Sequence, residues 1–246
     1  MSITFDFTGR TVVVTGAAQG IGLEIASMFH RAGAHVAAVD RDPEALAKSW
    51  PAGTERVSTH ALDVTDADAV GAAVADVVAA TGSIDVVVNN AGITRDTVVW
   101  KMTDDQWRAV IDVHLGGTFN FTRAAIPTMR AAGFGRIINV TSYTGLHGTI
   151  GQANYAAAKG GIVAFTKTVA KETARFGITV NAISPNAATA MVLAVGEERL
   201  AEMTATVPVG RFAEPAEMAT AVGFLAAEEN GYITGVVLPV DGGLAM

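Results

Sequence analysis

Tyr155 and Lys159 stand four residues apart in Tyr155-Ala156-Ala157-Ala158-Lys159, with Ser142 upstream. The alanines, followed by Phe165 and Val169, predict a helix. On a helix, residues i and i+4 share one face, so this phenol and ammonium would point into the same space. A cation beside a phenol favours phenolate and lowers a pKa that ordinarily lies near about 10. Tyr155 would then exchange a proton near neutral pH. The same spacing also describes an ordinary surface pair, so the surrounding sequence has to decide. Ser142, in Asn139-Val140-Thr141-Ser142, could simply end a strand or could hydrogen-bond a reacting oxygen. It lacks the Gly-x-Ser-x-Gly setting of a hydrolase nucleophile.

A second constellation is Thr15-Gly16-Ala17-Ala18-Gln19-Gly20-Ile21-Gly22. Glycines between a strand and a helix allow a tight turn and let backbone N–H groups approach a pyrophosphate at the helix N-terminus. The following strand would end in Asp40. A carboxylate there can accept hydrogen bonds from adenosine ribose hydroxyls and repels a 2′-phosphate. Gln19, not a basic residue, occupies the turn, although Arg41 follows Asp40. The pattern favours NAD(H), with NADP(H) as the alternative. Asp63 is a candidate for the adenine edge, or a turn acid within Asp63-Val64-Thr65-Asp66.

These residues need a frame. Short apolar runs predict strands at Thr11–Thr15, His35–Val39, Val57–Leu62, Ile84–Asn89, Arg136–Thr141, Thr179–Ile183 and Val236–Pro239. Between them lie helical patterns, such as Val70, Val74, Val77 and Val78, or Trp107, Val110, Ile111, His114, Leu115 and Thr118. Strands with little alternation, separated by helices, predict a seven-stranded parallel sheet with helices on both faces. That is the doubly wound α/β class, in which ligands bind at the carboxyl ends of the strands. One domain over residues 1–246 is expected, with a helical flap at about 190–210 that includes Met191, Val192, Leu193 and Val195.

The chain has 246 residues, half of them hydrophobic, which suffices for one large core. It has no cysteine, so disulfides, thiol nucleophiles and cysteine-ligated metals are excluded. The net charge of −7, without a basic run, argues against nucleic acid and anionic membrane as partners. The N-terminal residues do not read as a signal peptide, and no apolar run is long enough for a membrane helix. A cytoplasmic protein is expected. The five histidines form no close metal-ligand pair, so no catalytic metal is expected.

In order along the chain, the glycine turn, Asn89-Asn90-Ala91-Gly92, Ser142, Tyr155, Lys159, Pro185-Asn186 and Thr189 resemble the short-chain dehydrogenase/reductase family, over nearly the whole length. The resemblance implies a Rossmann fold and reversible hydride transfer between a nicotinamide and a carbonyl carbon. It makes Tyr155 the acid and base and Ser142 the donor to the substrate oxygen. Lys159 would tune the phenol and bind the nicotinamide ribose. The implied cofactor residues are Gly16, Gln19, Gly20, Ile21, Gly22, Asp40, Asp63, Val64, Asn90, Ala91, Gly92, Tyr155, Lys159, Pro185 and Thr189, with Thr189 on the carboxamide. The segments Asn90–Asp96, Lys101–Thr103 and Gly151–Lys159 are similar to the branch acting on 3-oxoacyl and 3-hydroxyacyl thioesters, carried on coenzyme A or acyl carrier protein.

Two positions depart from the family pattern. His114 stands where asparagine is usual, as a fourth member of the catalytic set or as a buried structural residue. Asn186 stands where glycine is usual, and asparagine tolerates the left-handed backbone region. His147 is placed in a loop from Gly145 to Gly151. Arg175 falls one position short of a carrier-binding slot that Phe176 occupies, and Arg130 is a second basic candidate. The resemblance also implies a homotetramer built from helices near Asp104–Arg130 and Asn154–Phe176, with Gly116, Gly117, Gly160 and Gly161 allowing close packing. Two alternatives stay open: a dehydrogenase of a free secondary alcohol such as a steroid or polyol, and a non-catalytic NAD(H)-sensing module.

Overall fold

Val12 and Val14 of the first strand, β1 (Thr11–Thr15), enter one hydrophobic core, and Val13 between them enters another. Two buried faces are what a parallel sheet covered on both sides requires. The computed structural model describes residues 3–193 and 196–246. After β1 come α1 (Gly20–Arg31), β2 (His35–Asp40), α2 (Pro43–Ser49), β3 (Val57–Ala61), α3 (Ala67–Thr81) and β4 (Val86–Asn89). Then follow α4 (Asp104–Ile111), α5 (Gly117–Ala132), β5 (Gly135–Val140), α6 (Tyr143–His147), α7 (Ala153–Thr173) and β6 (Ile178–Pro185). The chain continues through α8 (Ala190–Leu193), α9 (Glu197–Ala205), α10 (Pro215–Ala226) and β7 (Val237–Val240).

The seven strands form one parallel sheet in the order β3-β2-β1-β4-β5-β6-β7, the doubly wound arrangement the sequence predicts. Every predicted strand boundary lies within two residues of the observed one. One core packs Ile25 and Phe29 of α1 and Val222 and Leu225 of α10 against the sheet. The other packs Val74 and Val77 of α3, Phe121 and Met129 of α5, and Val169 of α7 against the opposite face. The order reverses at β1, whose neighbours are β2 and β4. In doubly wound sheets the ligand crevice lies at that switch point, beyond the carboxyl ends of the strands.

The sequence pattern treats Asp104–Arg130 as one continuous helix, but α4 and α5 are joined by a π-helical turn, Asp112–Gly116. A π-turn inserts a residue into the i→i−4 ladder and rotates the side chains that follow it. Hydrophobic periodicity averages over such a one-residue slip, so the sequence does not reveal it. Among the described residues, no helix is long and apolar enough to cross a membrane.

Candidate active site

The turn between β1 and α1 is built around missing side chains. Gly16 and Gly20 have φ of 68° and 56°. A Cβ on Gly22 would lie 2.1 Å from the Gly16 carbonyl oxygen and 2.5 Å from Asn90 Nδ2. That amide donates to the Thr15 carbonyl at 3.0 Å, and the Asn90 and Ala91 N–H groups both donate to Thr15 Oγ1 at 3.0 Å. The ends of β1 and β4 are thereby laced together. Gln19 occupies the N-cap of α1 without a side-chain cap bond, so the helix presents its first N–H groups to the crevice. Ile21 packs toward the α1 core.

Asp40 Oδ2 accepts from Ala18 N–H at 3.2 Å, which brings the carboxylate to the turn as the sequence predicts. Two residues that sequence reasoning missed brace the turn from behind. Ser49 Oγ donates to the Ala18 carbonyl at 2.8 Å, and Trp50 Nε1 donates to the Ala17 carbonyl at 3.0 Å. Asp63 Oδ1 accepts from the N–H and hydroxyl of Thr65, at 2.9 and 2.8 Å, so that oxygen serves the local turn. The neighbouring Val64 is buried, and its carbonyl accepts from Asn120 Nδ2 at 3.0 Å.

On α7, Tyr155 and Lys159 do share a face, with Lys159 Nζ 5.5 Å from the phenol ring centroid. Lys159 is buried, and its ammonium donates to the Val140 carbonyl at 2.6 Å at the end of β5. Thr141 Oγ1 donates back to the Lys159 carbonyl at 2.8 Å, which pins α7 to the same strand end. Ser142 N-caps α6, and its Oγ accepts from Thr144 N–H at 3.2 Å. The sequence-based expectation of a depressed phenol pKa is corrected. Burial pushes the Tyr155 phenol above its ordinary range; hydrogen bonding by Ser142 works against this, and the Asp96 carboxylate adds to the rise. Burial likewise pushes the Lys159 ammonium down to about 7. Desolvation outweighs the attraction of an ammonium turned toward a carbonyl.

His114 lies in the π-turn and is 3% exposed. Its ring meets the Tyr155 ring edge-to-face, with centroids 5.1 Å apart. Its Nε2 is 2.8 Å from the Ile93 carbonyl oxygen and 3.1 Å from the Ile93 nitrogen. Its Nδ1 is buried without a hydrogen-bond partner. Burial first, and the Lys159 charge second, hold its pKa down to about 3. A Cβ on Gly92 would fall 2.2 Å from His114 Cε1, so the ring fills the space the glycine leaves.

A family model described as enoyl-(acyl carrier protein) reductase matches residues 16–245. The acetoacetyl-CoA reductase of Shinella zoogloeoides is 46% identical over 95% of this chain and 98% of its own length. The 3-oxoacyl-(acyl-carrier-protein) reductase of Thermotoga maritima is 42% identical over 97% of this chain and 98% of its own length. The acetoacetyl-CoA reductase of Allochromatium vinosum is 42% identical over 96% of this chain and 99% of its own. The chain belongs to the short-chain dehydrogenase/reductase family. It is an oxidoreductase of the kind that uses a nicotinamide cofactor.

The crevice of this short-chain dehydrogenase/reductase fits such a cofactor: the glycine cradle would be filled by any Cβ at Gly22, and α1 offers uncapped N–H groups. At the nicotinamide end, Pro185 closes β6, and Thr189 begins the turn into α8, its Oγ1 accepting from Val192 N–H at 3.4 Å. Asn186 is not in the left-handed region, which corrects the reason given for its replacing glycine. Its main chain is fixed by Val240 and Ala213, and its Nδ2 is buried without a partner. His147 ends α6 instead of lying in a loop, because Ser142 caps a helical turn, and its ring stacks on Tyr143 at 4.4 Å. Arg130 and Arg175 both stack on Phe176, at 4.2 and 4.7 Å, so the two basic candidates converge. The expected flap carries α8 and α9; Val195 lies outside the described residues. Among the described residues, no three histidine, aspartate or glutamate side chains cluster as a metal site would.

Proposed function

We propose that the chain interconverts 3-oxoacyl and 3-hydroxyacyl thioesters by hydride transfer, with Tyr155 as acid and base. The observation that carries this reading is Tyr155 and Lys159 together at the end of β5, beside Ser142. The names of the relatives supply the substrate class. Gly16, Gly20, Gly22 and the α1 N-terminus would hold the pyrophosphate, Asp40 the adenosine ribose, Lys159 the nicotinamide ribose and Thr189 the carboxamide. The bound nicotinamide supplies or takes the hydride at the substrate carbon. In reduction, the Tyr155 O–H gives its proton to the substrate oxygen as that oxygen gains the electron pair of the carbonyl bond. The Ser142 hydroxyl donates a hydrogen bond to the same oxygen and stabilises its growing charge. In oxidation the phenolate takes the proton back. A phenol whose pKa is raised by burial stays protonated at neutral pH, which suits the reductive direction.

NAD(H) is the preferred cofactor in this reading, because the Asp40 carboxylate, resting on Ala18 N–H, would repel a 2′-phosphate. The thioester would be carried on coenzyme A or acyl carrier protein, and Arg130 with Arg175 supplies positive charge for either. Residues 1–246 act as one domain, and α8 and α9 form the flap over the acyl group. The test is a matrix of kcat/KM for NADH and NADPH against acetoacetyl-CoA, longer 3-oxoacyl thioesters, the matching 2-enoyl thioesters and simple ketones. The 3-oxoacyl thioesters are expected to lead, with NADH ahead of NADPH. Better turnover of enoyl thioesters or ketones overturns the substrate class. Tyr155→Phe is expected to lower kcat by about a thousandfold, the scale of a lost general acid. Unchanged turnover in that variant overturns the role of Tyr155.

A further inference from the structure

Ala17 and Ala18 form the floor of the glycine turn, and both are buried. Each of their main-chain polar groups has a partner. Ala17 N–H donates to the Val39 carbonyl at 3.0 Å, and the Ala17 carbonyl accepts from Trp50 Nε1 at 3.0 Å. Ala18 N–H donates to Asp40 Oδ2 at 3.2 Å, and the Ala18 carbonyl accepts from Ser49 Oγ at 2.8 Å. The Ala17 carbonyl and the Ala18 N–H belong to one peptide plane, and in a trans peptide they point in opposite directions. An indole that fixes the carbonyl therefore aims the N–H, and that N–H meets the Asp40 carboxylate. We propose that Trp50, seconded by Ser49, is a positioning residue that sets the preference for NADH over NADPH by holding Asp40 at the glycine turn.

This inference rests on the reading of Asp40 as the acceptor for the adenosine ribose. The short helix α2 is tied to this corner at both ends. At its start, Asp40 Oδ1 accepts from Asp42 N–H at 3.3 Å, and Asp42 Oδ1 caps α2 by accepting from the Glu44 and Ala45 N–H groups, each at 3.0 Å. At its end, Ser49 and Trp50 return to Ala18 and Ala17. The indole cannot follow the turn if the turn shifts. It is buried in the core that α1 packs, and the His30 ring meets it edge-to-face with centroids 6.1 Å apart. With the peptide held, the carboxylate stays where ribose hydroxyls would donate to it and where a 2′-phosphate would meet a negative charge. With the peptide released, the carboxylate can turn to solvent, and the exposed Arg41 beside it is left to face a phosphate. NADH then loses an acceptor, while NADPH loses a repulsion.

The test is the ratio of the NADPH and NADH dissociation constants, read by nicotinamide fluorescence without turnover. Trp50→Phe keeps a buried ring and removes the donor. It is expected to raise the NADH Kd by about tenfold, the value of roughly one lost hydrogen bond, and to leave the NADPH Kd unchanged or lower. Ser49→Ala is expected to shift the ratio the same way by about threefold, and Ser49→Thr, which keeps the hydroxyl, to restore it. In an Asp40→Ala background, Trp50→Phe is expected to leave the ratio where it was, because no carboxylate remains to be aimed. Equal weakening of both cofactors in Trp50→Phe makes the indole a structural brace only and overturns the proposal. So does a ratio shift that persists without Asp40. Near-UV circular dichroism identifies a variant that does not fold; Ser49→Ala then decides, and an unchanged ratio in that folded chain overturns the proposal. A parent that binds NADPH more tightly than NADH sinks the NAD(H) reading and, with it, the stated preference. In that event a ratio shift in Trp50→Phe that vanishes without Asp40 still supports the coupling, and no shift overturns it.

Discussion

Lys159 is a cation placed where a cation is costly. Its ammonium is buried against the Val140 carbonyl, to which it donates, and its pKa is pushed down to about 7 by that burial. In the unfolded chain the same amine holds its proton up to 10.5. Between those two values the unfolded chain binds more protons than the folded one, so stability rises with pH from about 7 toward 10.5. Below about 7 both states are protonated, and the cost of the buried charge is carried in full. Lys159→Met is therefore expected to be more stable than the parent at pH 6 by up to several kcal/mol, with the gap narrowing by pH 9, and to be inactive. Urea denaturation of the two chains at pH 6, 7.5 and 9 checks this; a pH-independent gap would count against it. The Tyr155 and Lys159 pair was legible in the sequence because i,i+4 geometry is local. The direction of the phenol shift was not, because it depends on which distant residues enclose the ring and on Lys159 turning to β5.

The elements do their positioning through close main-chain approaches, and the glycine turn shows how little room they leave. At Gly22 a Cβ would meet the Gly16 carbonyl and the Asn90 amide, and the nearest of these is backbone that cannot swing aside. Gly22→Ala is expected to cost about 1–3 kcal/mol, as overpacking does, and to weaken NADH binding, because Asn90 is displaced from Thr15. Gly71, exposed on α3 with nothing within 4 Å of an added Cβ, is the control. Gly71→Ala is expected to stabilise by up to about 1 kcal/mol through helix propensity alone, with NADH affinity unchanged. Thermal melts with and without NADH check both; equal behaviour of the two variants would refute the close-packing account. The turn, its acid and all seven strands could be read from the sequence, since glycine, aspartate and valine mark them by type. The π-turn could not, since Val113, His114 and Leu115 keep the apolar stripe of an unbroken helix. Nor could the brace from Ser49 and Trp50, which reach the turn only once α2 has folded back onto it.

At the scale of the whole molecule, three of the four glycines expected to seat a neighbouring subunit are used inside the chain, while Gly116 meets only the Ile111 carbonyl, at 4.0 Å. A Cβ on Gly117 would meet Val64 at 2.6 Å, and one on Gly161 would meet Leu115 at 2.9 Å. Gly160 faces the Gly145 carbonyl. These residues let α5, α7 and the loops around them pack together, which corrects the role the sequence suggested for them. The expectation of a homotetramer therefore has to rest on other residues. On the α4 and α5 side, Trp107 and Phe119 are 42% and 43% exposed, with Arg123 stacked on Phe119. On a separate surface, Phe224 of α10 is 45% exposed and Tyr232, before β7, is fully exposed. A tetramer of the common symmetry needs two self-complementary faces, and large aromatics on two different surfaces meet that need. Light scattering is expected to give the mass of four chains. Phe119→Glu would place two carboxylates, one from each chain, in each copy of one face and none on the other, so it is expected to leave dimers that keep NADH affinity. Phe224→Glu is expected to leave dimers through the other face, and the double variant a monomer. A parent chain that runs as a monomer would refute the assembly. A Phe119→Glu chain that stays tetrameric would show that the α4 and α5 surface is not one of its interfaces.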